Sequence, residues 1–277
     1  MTGPSTVAPA TGPDTVTPGA GPSTPAPGGG PDTVDQALAA VTATFRGMFT
    51  TMDGWGAALA GRDWPVAGPS AAQLDLMTRS LVSEELSRPD PTVVGAGFIA
   101  RPDWVRGAPR YLSWWLGPSN PVGRVPGRPA TGIRRLSVAF RDYTTLEWWR
   151  VPAATGRPHI TGPYVDYLCT DEYTVTLTAP VRIGVDPVGL VGLDIYVRTI
   201  ESLLLPRLAR VGRPATVLNT TGRVVVSTDP HRAAGTVLRS PGLRERLGAA
   251  DPSGVLPDGG TLLACPGTTL ALLLDVD

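Results

Sequence analysis

An apolar stripe of unusual length near the start of the chain limits what it can fold into. Val34, Leu38, Val41, Phe45, Met48, Met52, Trp55 and Leu59 recur at steps of three and four. That spacing is one face of an α-helix. Asp32 stands where a cap is needed, and Gly61 lies just past the end. At ~1.5 Å per residue such a helix is roughly 40 Å long, more than one compact lobe needs. A chain of 277 residues, 42% hydrophobic, can build one elongated or two small domains. A single helix spanning two stacked lobes uses the length.

The pattern after this helix predicts a second one over Ala71–Ser87, with Leu74, Met77, Leu81 and Leu86 inward. Strand signals follow at 92–100, 110–117, 134–140, 173–183 and 189–197, short and divided by Gly/Pro loops. Consecutive strands without helices between them indicate an antiparallel sheet and an α+β class. A helix over Thr199–Arg210, perturbed at Pro206, leads into a hairpin at 214–228 with an Asn/Gly turn. A short helix near Gly242–Leu247 and two strands within 259–277, bent at Pro266-Gly267, complete a smaller sheet of three or four strands. The expected divisions are a disordered Gly/Pro/Thr-rich tail at 1–31, the long helix at 32–65, a first lobe at 66–200 and a second lobe at 201–277.

Composition removes several chemistries. All 24 basic residues are arginine, balanced by 24 acidic ones. Without lysine, Schiff-base, pyridoxal-phosphate and ordinary P-loop chemistry are excluded. Without a basic stripe, nothing points to nucleic acid or an anionic membrane surface. Cys169 and Cys265 form no metal-binding spacing, and two buried free thiols are expected rather than a disulfide. No apolar run reaches 18 residues and no signal peptide is legible, so a soluble cytoplasmic protein is expected. No cofactor is implied. The two histidines, His159 and His231, lie outside any catalytic motif, and an enzyme is not expected; a hydrolase using either one is the rival reading.

Residues 142–167, "DYTTLEWWRVPAATGRPHITGPYVDY", gather Tyr143, Trp148, Trp149, Tyr164 and Tyr167 beside Asp142, Glu147 and Asp166. On an extended chain Trp148 and Trp149 face opposite ways, one into the core and one into a cavity. Trp114 and Trp115 pose the same choice, with Trp115 taken as a wall residue. Tyr143, Tyr164 and Tyr173 are candidate wall or rim residues. Asp166 is either an acidic contact or a cap on its own turn. Asp194, after an apolar run, either accepts a ligand cation, lies at an exposed strand end or pairs with one of the arginines, since a lone buried carboxylate is costly. Indole faces beside carboxylates suit an amine or a quaternary ammonium.

The segments "EWWRVPAATGRPHITGPYVDY", "YTVTLTAPVRI" and "GLVGLDIYVRTIESLL", with the later "ATVLNTTGRVVVSTDP", resemble the double Cache domain, a PAS-like sensor module. The resemblance covers roughly 34–277 and is specific between 142 and 204. It implies a long N-terminal helix packed on two PAS-like lobes with antiparallel sheets. It also implies a cavity shaped by Trp148 and Trp149, with Asp194 taking a ligand ammonium. The arginine that takes a carboxylate in such domains has no counterpart, because Leu146 and Glu147 stand in its place; Arg141 and Arg150 are nearby substitutes, and Glu147 shifts the preference toward a net cation. The expected function is a small-molecule sensor or binding module for an amine, a quaternary ammonium or an amino acid. It would signal through a separate regulatory or transporter partner and dimerise through its first helix. The alternative is a ligand-free interaction scaffold.

Overall fold

The computed structural model describes residue 3 and residues 31–89, 91–120, 133–136, 142–166 and 172–276. The expected tail lies outside these residues except for Gly3 and Pro31, as do Tyr167, Cys169 and Arg141. Helix α1 (Pro31–Ala60) carries the long stripe. It begins at Pro31, so Asp32 lies in the first turn instead of capping it, where its charge still suits the helix dipole. Gly61 follows the last residue, its N–H donating to the Ala57 carbonyl at 2.8 Å. Helix α2 (Ala71–Leu86) opens on a capping box in which Ser70 and Gln73 satisfy each other's backbone N–H.

The first sheet contains β1 (Val93–Ala100), β2 (Leu112–Leu116), β3 (Arg134–Arg135), β4 (His159–Val165), β5 (Tyr173–Ile183) and β6 (Asp186–Tyr196), all antiparallel in the order β3-β2-β1-β6-β5-β4. Helix α3 (Glu147–Thr155) lies between β3 and β4, and α4 (Val197–Leu208) leads into the second lobe. There β7 (Ala215–Leu218), β8 (Val224–Ser227), β9 (Gly254–Val255), β10 (Thr261–Ala264) and β11 (Ala271–Leu274) run β8-β7-β11-β10-β9, with α5 (Leu243–Leu247) beside them. Setting aside the two-residue edge strand β3, both lobes have the same order: second, first, fifth, fourth, third. The second sheet has five strands where three or four were expected.

Two stretches differ from the sequence reading. The "EWWRV" segment is the start of α3, not extended backbone, so Trp148 and Trp149 lie about 100° apart around a helix. Gly156, at φ 65°, closes that helix with its N–H on the Pro152 carbonyl. The "HITGPYV" segment, where the sequence pattern marks no strand, is an edge strand with a register shift between Thr161 and Tyr164. Proline is tolerated there because an edge strand leaves one row of N–H groups outside the ladder.

Helix α1 binds the lobes through one apolar cluster. Phe45 and Met52 pack with Val175, Leu177, Leu193 and Ile195 of the first sheet, and the same cluster takes in Val217, Val225 and Leu272 of the second. Cys265 belongs to it as a buried free thiol, which burial pushes up to about 12. The lobes also meet directly. The buried Asn219, in the β7–β8 turn, donates from Nδ2 to the Gly162 carbonyl of β4 at 2.8 Å. Its Oδ1 accepts from the N–H groups of Thr221 and Arg223, both at 2.9 Å. Asn219→Ala removes the partner of the buried Gly162 carbonyl and of two part-buried N–H groups and is expected to cost about 1–3 kcal/mol. Denaturant unfolding measures it, and an unchanged midpoint would contradict the staple.

Candidate functional site

Strand alternation gives the first sheet two unlike faces. Val175, Leu177 and Ala179 of β5, with Val191, Leu193 and Ile195 of β6, belong to the core that includes α1. The opposite parity puts Thr174, Thr176 and Thr178 beside Tyr196, Asp194 and Gly192 on the other face. There a second cluster forms from Ile99, Leu112, Trp114, Leu116, Tyr143, Trp149 and Leu190, with Trp148 packed against it.

Asp194 is 2% exposed at the centre of this face. Its Oδ1 accepts the Thr176 hydroxyl at 2.6 Å. The Tyr164 hydroxyl meets Thr176 Oγ1 at 2.7 Å. Thr176 has one hydroxyl proton, so when it donates to Asp194 the tyrosine must donate to Thr176. No arginine or histidine among the described residues forms an ion pair with Asp194. Burial, reinforced by the charge of Asp166, pushes the Asp194 carboxyl well above the usual carboxylate range; the Thr176 hydrogen bond opposes this less strongly. Asp166 is itself buried, just past the end of β4.

The indole wall is not the one expected. Trp114 faces Asp194's side of the sheet: it pairs with Gly97 of β1, which pairs with Gly192 of β6. Its ring lies over this glycine bed, since a β-carbon at Gly192 would stand 3.1 Å from Cη2 and Cζ3. A β-carbon at Gly95 would stand 2.8 Å from Trp114 Nε1 and 3.3 Å from Asp194 Oδ2, so indole nitrogen and carboxylate flank the same glycine. The Trp114 N–H is buried without a partner among the described residues. Trp115 is a correction. Its opposite parity sends it into the α1 core, with the Arg79 guanidinium 5.5 Å from its ring.

The other expected site residues separate as follows. Tyr143 is fully buried, donates to the Ala100 carbonyl at 2.6 Å, and packs on Trp149 (centroids 5.2 Å apart) and Trp148 (6.1 Å). It anchors the wall and is not at a rim. Glu147 lies 2.9 Å from Nε2 of the buried His159, joining α3 to β4, so its carboxylate is already engaged. The Thr178 hydroxyl ties the same helix down through the Trp148 carbonyl at 2.9 Å. Tyr173 is 50% exposed and leans toward Gly235 of the second lobe, away from Asp194's face. His231 is exposed, and its N–H donates to the Asp229 carboxylate.

A cleft of about 360 Å³ is lined by Leu146, Glu147, Trp148, Thr161, Tyr164 and Asp166, together with Arg223 from the second lobe. The Thr161 hydroxyl is buried there without a partner among the described residues. Sequence reasoning missed Thr161 and Arg223, and it took Trp115 where Trp114 faces this side of the sheet. The "GAG" of 95–97, with glycines alternating on one strand face, was the available signal for a large ring opposite. Among the described residues no three His, Cys, Asp or Glu side chains converge as metal ligands would, and no helix is long and apolar enough to cross a membrane.

A family model described as "Methyl-accepting chemotaxis protein-like, first PDC sensor domain" matches residues 127–202. Comparison with curated proteins yields no match. Among solved structures, the ligand-binding domain of the Pseudomonas aeruginosa amino acid chemoreceptor PctB in complex with L-Gln is 16% identical, with a TM-score of 0.55 over 89% of this chain and 88% of that one. The ligand-binding domain of the Pseudomonas fluorescens chemoreceptor CtaA in complex with L-valine is 15% identical, with a TM-score of 0.54 over 89% and 94%. A structure of methyl-accepting chemotaxis protein X is 17% identical, with a TM-score of 0.55 over 87% and 96%. At such identities the likeness is one of fold, and it agrees with the strand order repeated in the two lobes along α1. The chain has the double Cache (PDC) fold of chemoreceptor ligand-binding domains.

Proposed function

We propose that the first lobe is a sensor for a small amine-bearing molecule, whose ammonium group is received by Asp194 and Asp166 beside an indole wall. The observation that carries this reading is the buried Asp194 carboxylate, held by a neutral hydroxyl and facing a second carboxylate's field instead of a guanidinium. Such a group is stable in the dry interior only as a neutral acid or with a cation beside it. Trp148, which lines the cleft and stacks on the buried Tyr143, supplies the apolar surface that a small organic cation favours. Chemoreceptor domains of this fold in complex with L-Gln and L-valine are precedents for an amine-bearing ligand.

Binding would tighten β5 and β6 against α1, and α1 would carry the change to a separate partner. A thermal-shift screen of the full chain against alkylamines, choline, amino acids, simple carboxylates and sugars tests the ligand class. At about 100 Kd a ligand adds ~2.7 kcal/mol, so the midpoint rises on the order of 5 °C for a chain of this size. Stabilisation by amine-bearing compounds is the expected result. Stabilisation confined to carboxylates or sugars would overturn the reading.

A further inference from the structure

Among the described residues, Arg223 is the only arginine or histidine lining the cleft beside Asp166, and it comes from the other lobe. Its place is fixed by the backbone. Asn219 Oδ1 accepts the Arg223 N–H at 2.9 Å, and Asn219 Nδ2 holds the Gly162 carbonyl at 2.8 Å. One buried amide therefore sets the arginine against β4 at its register shift. The guanidinium donates once, from Nη1 to the Gly235 carbonyl at 2.5 Å, and no carboxylate among the described residues pairs with it. It therefore keeps donors for a further acceptor. The cleft has acidic groups on its first-lobe side: Asp166, Glu147 held by His159, and Asp194 behind Tyr164 and Thr176. The buried Thr161 hydroxyl, without a partner among the described residues, also lines the cleft as a further polar contact.

A ligand that is only a cation would use the acidic side and leave Arg223 facing a second positive charge. A ligand carrying both signs satisfies both sides. We propose that Arg223 is a specificity-determining residue of this site, taking the carboxylate of a zwitterionic amine so that the bound molecule bridges the two lobes. This rests on the sensor reading given above for the first lobe. A planar guanidinium suits a carboxylate because two parallel N–H groups can meet two oxygens.

Titration calorimetry on the full chain with matched pairs separates the two readings. L-valine is compared with isobutylamine, and L-arginine with agmatine, each pair differing only in the carboxylate. The wild-type protein is expected to prefer the amino acid of at least one pair by tenfold or more. Arg223→Gln is expected to remove that preference by weakening the amino acid, while the amine, relieved of a like charge, binds no more weakly than to wild type. An unchanged preference in Arg223→Gln, or an equal loss for amine and amino acid, overturns the role of Arg223 while leaving the sensor reading intact. Failure of the wild-type protein to bind any of the four overturns both. Arg223→Lys, which keeps the charge but not the fork, is expected to restore part of the preference, and a variant that recovers none would count against carboxylate recognition.

Discussion

Gly97→Ala is expected to lower the unfolding free energy by about 3 kcal/mol or more, the range of a core overpacking that cannot relax. A β-carbon there would stand 2.1 Å from the Ser113 carbonyl oxygen, 2.8 Å from Trp114 Cα and 2.9 Å from Trp114 Cε3. Two of those neighbours are backbone of β2, and β1 is held in register by β2 on one side and β6 on the other. Relief therefore requires parting the middle of the sheet. Gly192→Ala meets the far edge of the same indole at 3.1 Å and the Leu177 carbonyl oxygen at 3.2 Å, contacts that shifts of a few tenths of an ångström relieve, so a smaller loss is expected. Gly54→Ala has open space and lies exposed within α1, where replacing glycine stabilises by ~0.5–1 kcal/mol. Urea unfolding of the three variants should give a large loss, a modest loss and a gain. A Gly97→Ala protein as stable as wild type would mean that β1 and β2 do not approach this closely at Gly97 and Trp114.

That bed also shows what could be read from the sequence and what could not. Most strands of the first sheet, the helix at 31–60 and the location of β5 follow from periodicity, because burial on one face writes itself along a strand or helix. Asp194 and the acidic Asp166 were legible as candidates because polar groups at the ends of apolar runs are conspicuous. The choice between Trp114 and Trp115 was not legible, since alternation says that they differ but not which faces where; only the pairing of Trp114 with Gly97 decides it. Helix α3 was hidden because tryptophan and valine favour strands locally. Packing of Trp149 on Tyr143, together with the Glu147–His159 contact, overrides that preference. Strand β4 was hidden because its ladder with β5 is set by a segment beginning eight residues beyond its end. Arg223 was out of reach altogether, since its place in the cleft depends on how the second lobe meets the first.

Asp194→Asn is expected to make the unliganded protein more stable at neutral pH while abolishing its response to amines. Burial and Asp166 hold the folded-state carboxyl well above its ordinary range. In the unfolded chain it ionises near pH ~4. Below that pH both states are protonated and the residue costs nothing. As pH rises, the unfolded state loses its proton first, so stability falls until the folded-state carboxyl ionises as well, and is level thereafter. Asparagine has nearly the same shape and can still accept the Thr176 hydroxyl, but it has no proton to lose. The variant should therefore match wild type near pH 4 and exceed it at pH 7.5, measured by denaturant unfolding at both values. Ligand linkage runs the other way. An ammonium favours the ionised carboxylate, so binding to wild type releases a proton, and affinity rises with pH as long as the ligand amine stays charged. Calorimetry in buffers of different ionisation enthalpy should detect that proton, and Asp194→Asn should show neither the proton nor the binding. If Asp194→Asn binds amines as wild type does, the carboxylate is a buried structural acid and the ammonium site lies elsewhere.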